Sequence, residues 1–285
     1  MARATSEPRE RISRREASDL PGLRARTESA TPRDSLVVML LPAIVFALIL
    51  VGWEAWVRIA AVKRYLLPPP TEIARALAEE PMRYIGAASV SLGAAMGGLL
   101  IATLGAFLLG VVMAHSRALE RALYPPALLL KVMPIVAVYP LFLIWFGFGI
   151  WPRVLIAALI TFFPVLVNTV IGLRSVDPQA HDFLRALNAS RSQIFWRLRL
   201  PSSLPYLFAA LRISVPLSLI GAVVAEFLSG SAGMGQLILV ANGDFDTPAL
   251  FGAVIVLAAM GVSLTVGISY LERRVLDWHD SYRGV

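Results

Sequence analysis

Six long stretches of this chain carry almost no charge, and they decide what it can fold into. Leu36–Trp53, Tyr84–Ala114, Val154–Leu173 and Thr247–Leu271 contain no charged side chain, and Ala122–Pro152 contains only Lys131. Pro205–Phe227 is less clean, with Arg212 near one end and Glu226 near the other. A helix that crosses the hydrocarbon core of a bilayer needs roughly 20 mostly apolar residues. Only helices and closed barrels satisfy their backbone hydrogen bonds there, and barrel strands alternate apolar with polar residues. These runs are continuous, so the chain reads as an all-α polytopic membrane protein with six transmembrane helices. Its 57% hydrophobic and 16% charged residues fit that reading, since a soluble domain carries about 25% charge. The spans leave little room for a soluble catalytic domain. Cysteine is absent from the sequence, which removes disulfides, thiolate metal sites and a cysteine nucleophile.

The net charge of +7 invites a nucleic-acid reading, but the distribution of charge argues for topology. One side of the expected membrane collects nineteen basic residues: eight arginines from Arg3 to Arg33, Arg117 and Arg121, six from Arg174 to Arg212, and Arg273, Arg274 and Arg283. The other side has six: Arg58, Lys63, Arg64, Arg75, Arg83 and Arg153. Basic residues concentrate on the cytoplasmic side, so both termini are expected in the cytoplasm, with no nucleic-acid partner. Residues 1–35 mix arginines with Glu7, Glu10, Glu16, Asp19, Glu28 and Asp34. They read as a disordered cytoplasmic tail with weak attraction to anionic lipid, not as a signal peptide. Residues 36–274 then form the membrane domain, and 275–285 a second cytoplasmic tail.

The longest loop between spans, 174–205, has legible local chemistry. Asp177-Pro178 reads as a helix N-cap with proline at the first helical position. The helix is expected to run to about Leu187, where Asn188 takes the left-handed conformation that ends it. Ser190 and Gln193 match a capping box that starts a second helix, and Pro201 is expected to stop it. Two readings of this hairpin stand side by side: an amphipathic element resting on lipid headgroups, or a helix offered to a groove in a cytoplasmic partner.

The same loop resembles the EAA loop, patterned E-A-A-x3-G-x9-I-x-L-P, of transmembrane subunits in binding-protein-dependent ABC importers. Asp182, Phe183 and Leu184 stand at E-A-A, Asn188 at the glycine, Leu198 at the isoleucine, and Leu200-Pro201 close the pattern. Asp182 keeps a carboxylate and Asn188 keeps access to the turn, whereas Phe183 and Leu184 are much bulkier than alanine. The likeness extends over about Val51–Arg283 through GWEAW (52–56), LPPPTEI (67–73), YPLFLIWFGFG (139–149), FFPVLVNTVIGLRSVDP (162–178) and GAVVAEFLSGSAGMGQLI (221–238). Together these are most similar to the nitrate, sulfonate and taurine branch.

This resemblance implies a type I importer permease in a bacterial inner membrane, paired with a second permease subunit, in the simplest case a second copy. Cytoplasmic ATP-binding cassette subunits and an extracytoplasmic solute-binding protein would complete it. Asp182, Phe183, Leu184, Arg185, Ala186, Leu187 and Asn188, with Leu200 and Pro201, would form the loop that couples to the ATPase. The cargo would be a small nutrient: an anion of the nitrate, sulfonate or taurine kind, or a vitamin precursor.

No catalytic, cofactor or metal site is expected in this chain. A phosphate-binding loop needs glycine-rich backbone followed by lysine, and neither Lys63 nor Lys131 follows one. Gly230, Gly233 and Gly235 are instead expected to shape an outer turn and re-entrant segment. Ionisable residues within spans are functional candidates, so Lys131 and Glu226 are candidates to line the translocation path, alone or paired. Packed, satisfied interior charges are the alternative. Glu54 is expected to anchor the outer end of the first span beside Trp53 and Trp56. Gly93 and Gly97 form a GxxxG spacing beside Ala94 and Ala95, expected to pack helices within the chain. An ion-coupled secondary carrier is the alternative function, although it calls for broken helices and several buried carboxylates.

Overall fold

Proline and glycine set most of the helix boundaries. The computed structural model describes residues 32–277, with side chains described from Leu40 onward. The expected disordered tail therefore lies outside the described residues, apart from residues 32–35, which already belong to the first helix. That helix, α1, runs Pro32–Ile59. Its portion up to Gly52 forms one compact unit, and Trp53 onward forms another.

In the second unit, α2 (Pro70–Glu79) and α3 (Pro81–His115) each start on a proline, whose missing N–H costs nothing at a helix start. Then follow α4 (Arg117–Val132), α5 (Ile135–Phe146), α6 (Ile150–Arg174), α7 (Pro178–Ala186), α8 (Arg191–Ile194), α9 (Leu200–Ser229), α10 (Met234–Gly243) and α11 (Thr247–Val275). Five helices are long and apolar enough to cross a membrane, or six if α4 and α5 together make one span.

Two expectations about these spans need correction. Ala122–Pro152 is not one straight helix, because α4 and α5 meet at 98°. Met133 precedes Pro134 and is extended, at φ −61° and ψ 127°. A proline disfavours helical backbone in the residue before it, so the run breaks there. Pro201, conversely, stops nothing. A π-helical turn over Phe195–Arg199 links α8 to α9, with the Leu200 N–H donating to the Phe195 carbonyl, and the helix continues unbroken from Arg191 to Ser229.

The core is the seam where α3, α6 and α9 meet. The buried face of α3 presents Ser91, Ala94, Ala95, Gly98, Ala102, Ala106 and Gly110, at the three- and four-residue spacing of one helix stripe. Small side chains let backbones approach closely, which is how membrane helices associate without a hydrophobic drive between them. The approach is tightest at Gly98. A methyl group there would lie 2.5 Å from Ala157 Cβ and 2.6 Å from the Val154 carbonyl oxygen. The GxxxG pair anticipated from sequence is only half right: Gly97 makes ordinary contact with Val154, and Gly93 faces open space. The stripe runs one residue later, through Ala94 and Gly98.

Candidate functional site

The loop between α6 and α9 is fixed at every helix end. Asp177 Oδ1 accepts the Gln179 N–H at 3.0 Å, capping α7 as its sequence suggested. At the other end, Asn188 has φ +55°. Its N–H donates to the Arg185 carbonyl at 2.9 Å, and the Ala189 N–H reaches the Leu184 carbonyl at 3.0 Å. This bond pair is the Schellman closure, which satisfies carbonyls a helix C-terminus would otherwise leave open. The next helix begins with a complete capping box: Ser190 Oγ accepts the Gln193 N–H at 3.2 Å, and Gln193 Oε1 accepts the Ser190 N–H at 2.8 Å.

Helix α7 has no buried residue. Phe183 and Leu187, one helical turn apart, remain 64% and 63% exposed. Leu184 is half-buried, while Asp182, Arg185 and Ala186 are exposed. The bulky replacements at the alanine positions therefore create no crowding within the chain. Leu200 and Pro201 are half-buried at the start of α9. A contact that sequence reasoning missed ties the loop to the bundle. Arg174, the last residue of α6, donates to Glu120 of α4 at 2.6 Å and to the Met113 carbonyl of α3 at 3.0 Å. Nothing in the spacing of these residues signals that triple junction.

At the far end of the bundle, Glu226 of α9 is completely buried. Its Oε2 accepts the Ser91 hydroxyl at 2.7 Å and the Gly235 N–H at 3.0 Å, while Ser91 Oγ accepts the Met234 N–H at 2.9 Å. Oε1 is buried without a partner. The carboxylate thus holds the start of α10 against α3. Gly233 is needed at φ +130°, and any Cβ there would run into the Glu226 carboxylate. Arg153 supports the same turn, donating to the Ala232 carbonyl at 2.7 Å and the Gly149 carbonyl at 3.1 Å. The glycine cluster accordingly shapes a turn and a short apolar helix.

The two intramembrane ions do not meet. Lys131 is exposed, with Nζ 5.0 Å from the centre of the Phe163 ring, and no ion pair joins it to Glu226 among the described residues. Glu54 does more than anchor an interface. It accepts Arg58 Nε at 2.5 Å, Thr71 Oγ1 at 2.9 Å and the Thr71 N–H at 3.1 Å, clasping the end of α1 to the start of α2. The GWEAW and LPPPTEI segments are thereby joined, while Trp53 stacks obliquely on Phe251, ring centres 5.9 Å apart.

Residues 106–277 match the family described as the binding-protein-dependent transport system inner membrane component. That stretch carries the end of α3, all of α6 and α9, the capped loop and the buried carboxylate. The chain belongs to this family. This permease is 34% identical to the formylaminopyrimidine transport permease protein ThiX of Halalkalibacterium halodurans over 83% of its own length and 95% of that protein's. It is 38% identical to the riboflavin transport system permease protein RibX of Chloroflexus aurantiacus, over 82% and 88% respectively. Among solved structures, an inward-facing form of the methionine ABC transporter MetNI aligns with a TM-score of 0.55 at 16% identity. It covers 68% of this permease and 94% of that chain, a likeness of fold. The permease is the translocation subunit of an ABC importer, an inner-membrane protein, and membership decides against the ion-coupled carrier.

Proposed function

We propose that residues 36–274 form one half of a translocation path, completed by a second copy of the chain. Loop 174–205 docks on cytoplasmic ATP-binding subunits, which bind and hydrolyse the ATP, while a solute-binding protein delivers cargo from the other side. Both termini and the 275–285 tail lie in the cytoplasm; the nineteen-to-six division of basic residues supports this orientation. The observation that carries the reading is the state of α7: pinned at both ends, yet with Phe183 and Leu187 almost two-thirds exposed. A rigid short helix transmits displacement, whereas a slack loop absorbs it. Nucleotide can drive the spans only through contacts that differ between two states. Asp182, the apolar pair and the Leu187-Asn188 turn are the contacts assigned to that role, with Arg185, Ala186, Leu200 and Pro201 completing the coupling surface.

Lys131, exposed on a single chain, is assigned to the path. Glu226, sealed inside, acts from behind the path wall by holding α10 in place. For cargo we favour a small heteroaromatic nutrient of the vitamin or vitamin-precursor class. Relatives named for riboflavin and formylaminopyrimidine are 38% and 34% identical, the putative aliphatic sulfonates permease SsuC of Bacillus subtilis 33%, and the taurine permease TauC of Escherichia coli 28%.

The absence of native cysteine makes the test clean. With Ala186→Cys as the only thiol, a short crosslinker applied to the co-expressed complex should capture the ATP-binding subunit. Capture of phospholipid alone would overturn the docking reading. Thermal-shift screening of the co-encoded binding protein should give stabilisation by a flavin or pyrimidine; stabilisation by a sulfonate or nitrate alone would reassign the cargo.

A further inference from the structure

Behind α7, on the side turned toward the spans, lie two adjoining cavities of about 380 and 430 Å³. His115, His181 and Arg199 line both. Arg185 and Arg191 close the smaller one, Arg117 and Arg174 the larger, and Asp182 is the only acid in either lining. Arg174 is already committed to Glu120. Arg117, Arg185, Arg191 and Arg199, by contrast, make no ion pair among the described residues. Three of these guanidinium groups, from Arg185, Arg191 and Arg199, thus line the smaller concavity together with buried Ile194 and the half-buried ring of Phe195, while Arg117 lines the larger one with Asp182.

Arg185 and Arg191 are exposed and Arg199 is half-buried, so water screens part of their mutual repulsion and an anion that joins them relieves the rest. Low-dielectric walls focus their field into the cavity, and the planar fork of arginine matches the oxygens of a phosphate group, two at a time. The cavity also sits where α3 ends at His115 and α6 ends at Arg174, the level of lipid headgroups on the inner leaflet in the orientation proposed above. Anionic headgroups are recognised there by basic pockets between helices.

We propose that the smaller cavity binds a phosphate group, bridging the coupling helix to the ends of the spans. The group comes either from an anionic lipid headgroup or from free phosphate; the chemistry is shared, and the source is an experimental question. The proposal depends on the cation cluster, not on docking of an ATPase. It can therefore fail while the coupling role of α7 stands, and the reverse.

The test uses the full-length chain in phosphatidylcholine nanodiscs containing a minor fraction of cardiolipin, read by native mass spectrometry. In parallel, inorganic phosphate is titrated by calorimetry into the detergent-solubilised protein. Arg191→Gln combined with Arg199→Gln should weaken retention at least about tenfold, since hydrogen bonds to a charged group are lost. Arg121→Gln, which removes one charge outside the cavity, should leave retention unchanged. Cardiolipin held without phosphate binding names the lipid, and phosphate binding without lipid retention names the free anion; either supports the site. Equal losses in the cavity and control variants, or no retention of either probe by the wild type, would overturn it. So would loss of the ligand from the wild type once the ATP-binding subunit is assembled. If the double variant does not fold, Arg191→Gln alone, at an exposed position, must still lower retention, and an unchanged value refutes the site.

Discussion

The α3–α6–α9 seam and the 174–205 loop are both held without large side chains at their critical points, yet by opposite means. In the seam, backbones approach until a methyl group at Gly98 would overlap its neighbours. In the loop, no residue of α7 is buried, and order comes from hydrogen bonds between near neighbours in sequence. The seam therefore tolerates almost no added volume but is indifferent to local capping. The loop tolerates bulk, as Phe183 and Leu184 demonstrate, but not a change in backbone conformation. A transport subunit has use for both: a stiff body, and a lever whose surface is free to meet another protein.

The most damaging way to probe this contrast is to add volume to the seam. Gly98→Leu should cost upwards of about 3 kcal/mol, because the obstruction is the backbone of α6 and not a movable side chain tip. Loss of the folded peak in detergent gel filtration checks it. Gly93→Leu, with nothing within 4 Å, should behave as wild type. If the two glycines respond alike, the seam is not where the structure has it.

Next comes the buried carboxylate. Glu226→Ala removes the acceptor for the Ser91 hydroxyl and the Gly235 N–H, leaving buried donors unsatisfied at about 1–3 kcal/mol each. Glu226→Gln retains an acceptor oxygen and should recover most of that loss. Melting temperatures in detergent separate the two. A Gln variant as unstable as the Ala variant would mean that the negative charge, and not hydrogen-bond acceptance, holds α10.

The loop was far more legible in the sequence than the seam, and the reason is physical. Asp177, Asn188, Ser190 and Gln193 act on atoms within a few residues of themselves, so their identities announce the geometry. Seam positions act across the bundle. Ser91 reads as one more small residue until α10 is seen to bring the Met234 and Gly235 N–H groups to it and to Glu226. The α4–α5 bend was half legible, since a proline disfavours helical backbone before it, but Pro125, Pro140 and Pro164 sit inside helices, and a long apolar run disguised the break at Pro134. The π-turn before Leu200 left no readable trace, and for that reason Pro201 looked like a terminator.

Within the loop, the left-handed turn is the sensitive point. Asn188→Val places a β-branched residue at φ +55°, which costs at least about 1–2 kcal/mol, while Asn188→Gly should be neutral or slightly stabilising. The spans should still insert. ATPase stimulation by loaded binding protein should fall for valine and persist for glycine. Stimulation that survives valine would mean that the turn does not transmit force.

The smallest effect is expected at Lys131, which belongs to neither region. Its ammonium group rests over Phe163 on an exposed surface, so Lys131→Ala should cost only about 0.5–1 kcal/mol in stability. The informative measurement is uptake. A heteroaromatic cargo without net charge meets this cation through a contact of similar size, and its uptake should fall by no more than roughly two- to fivefold. An anionic cargo crossing the same wall loses its counter-charge in a medium where such pairing is strong, and its uptake should fall much further. With Lys131 on the path, as proposed, the size of the Lys131→Ala defect reports the charge of what passes, independently of any assay on the binding protein. A large defect would move the cargo from the vitamin class to the sulfonates and nitrate without disturbing the rest of the fold.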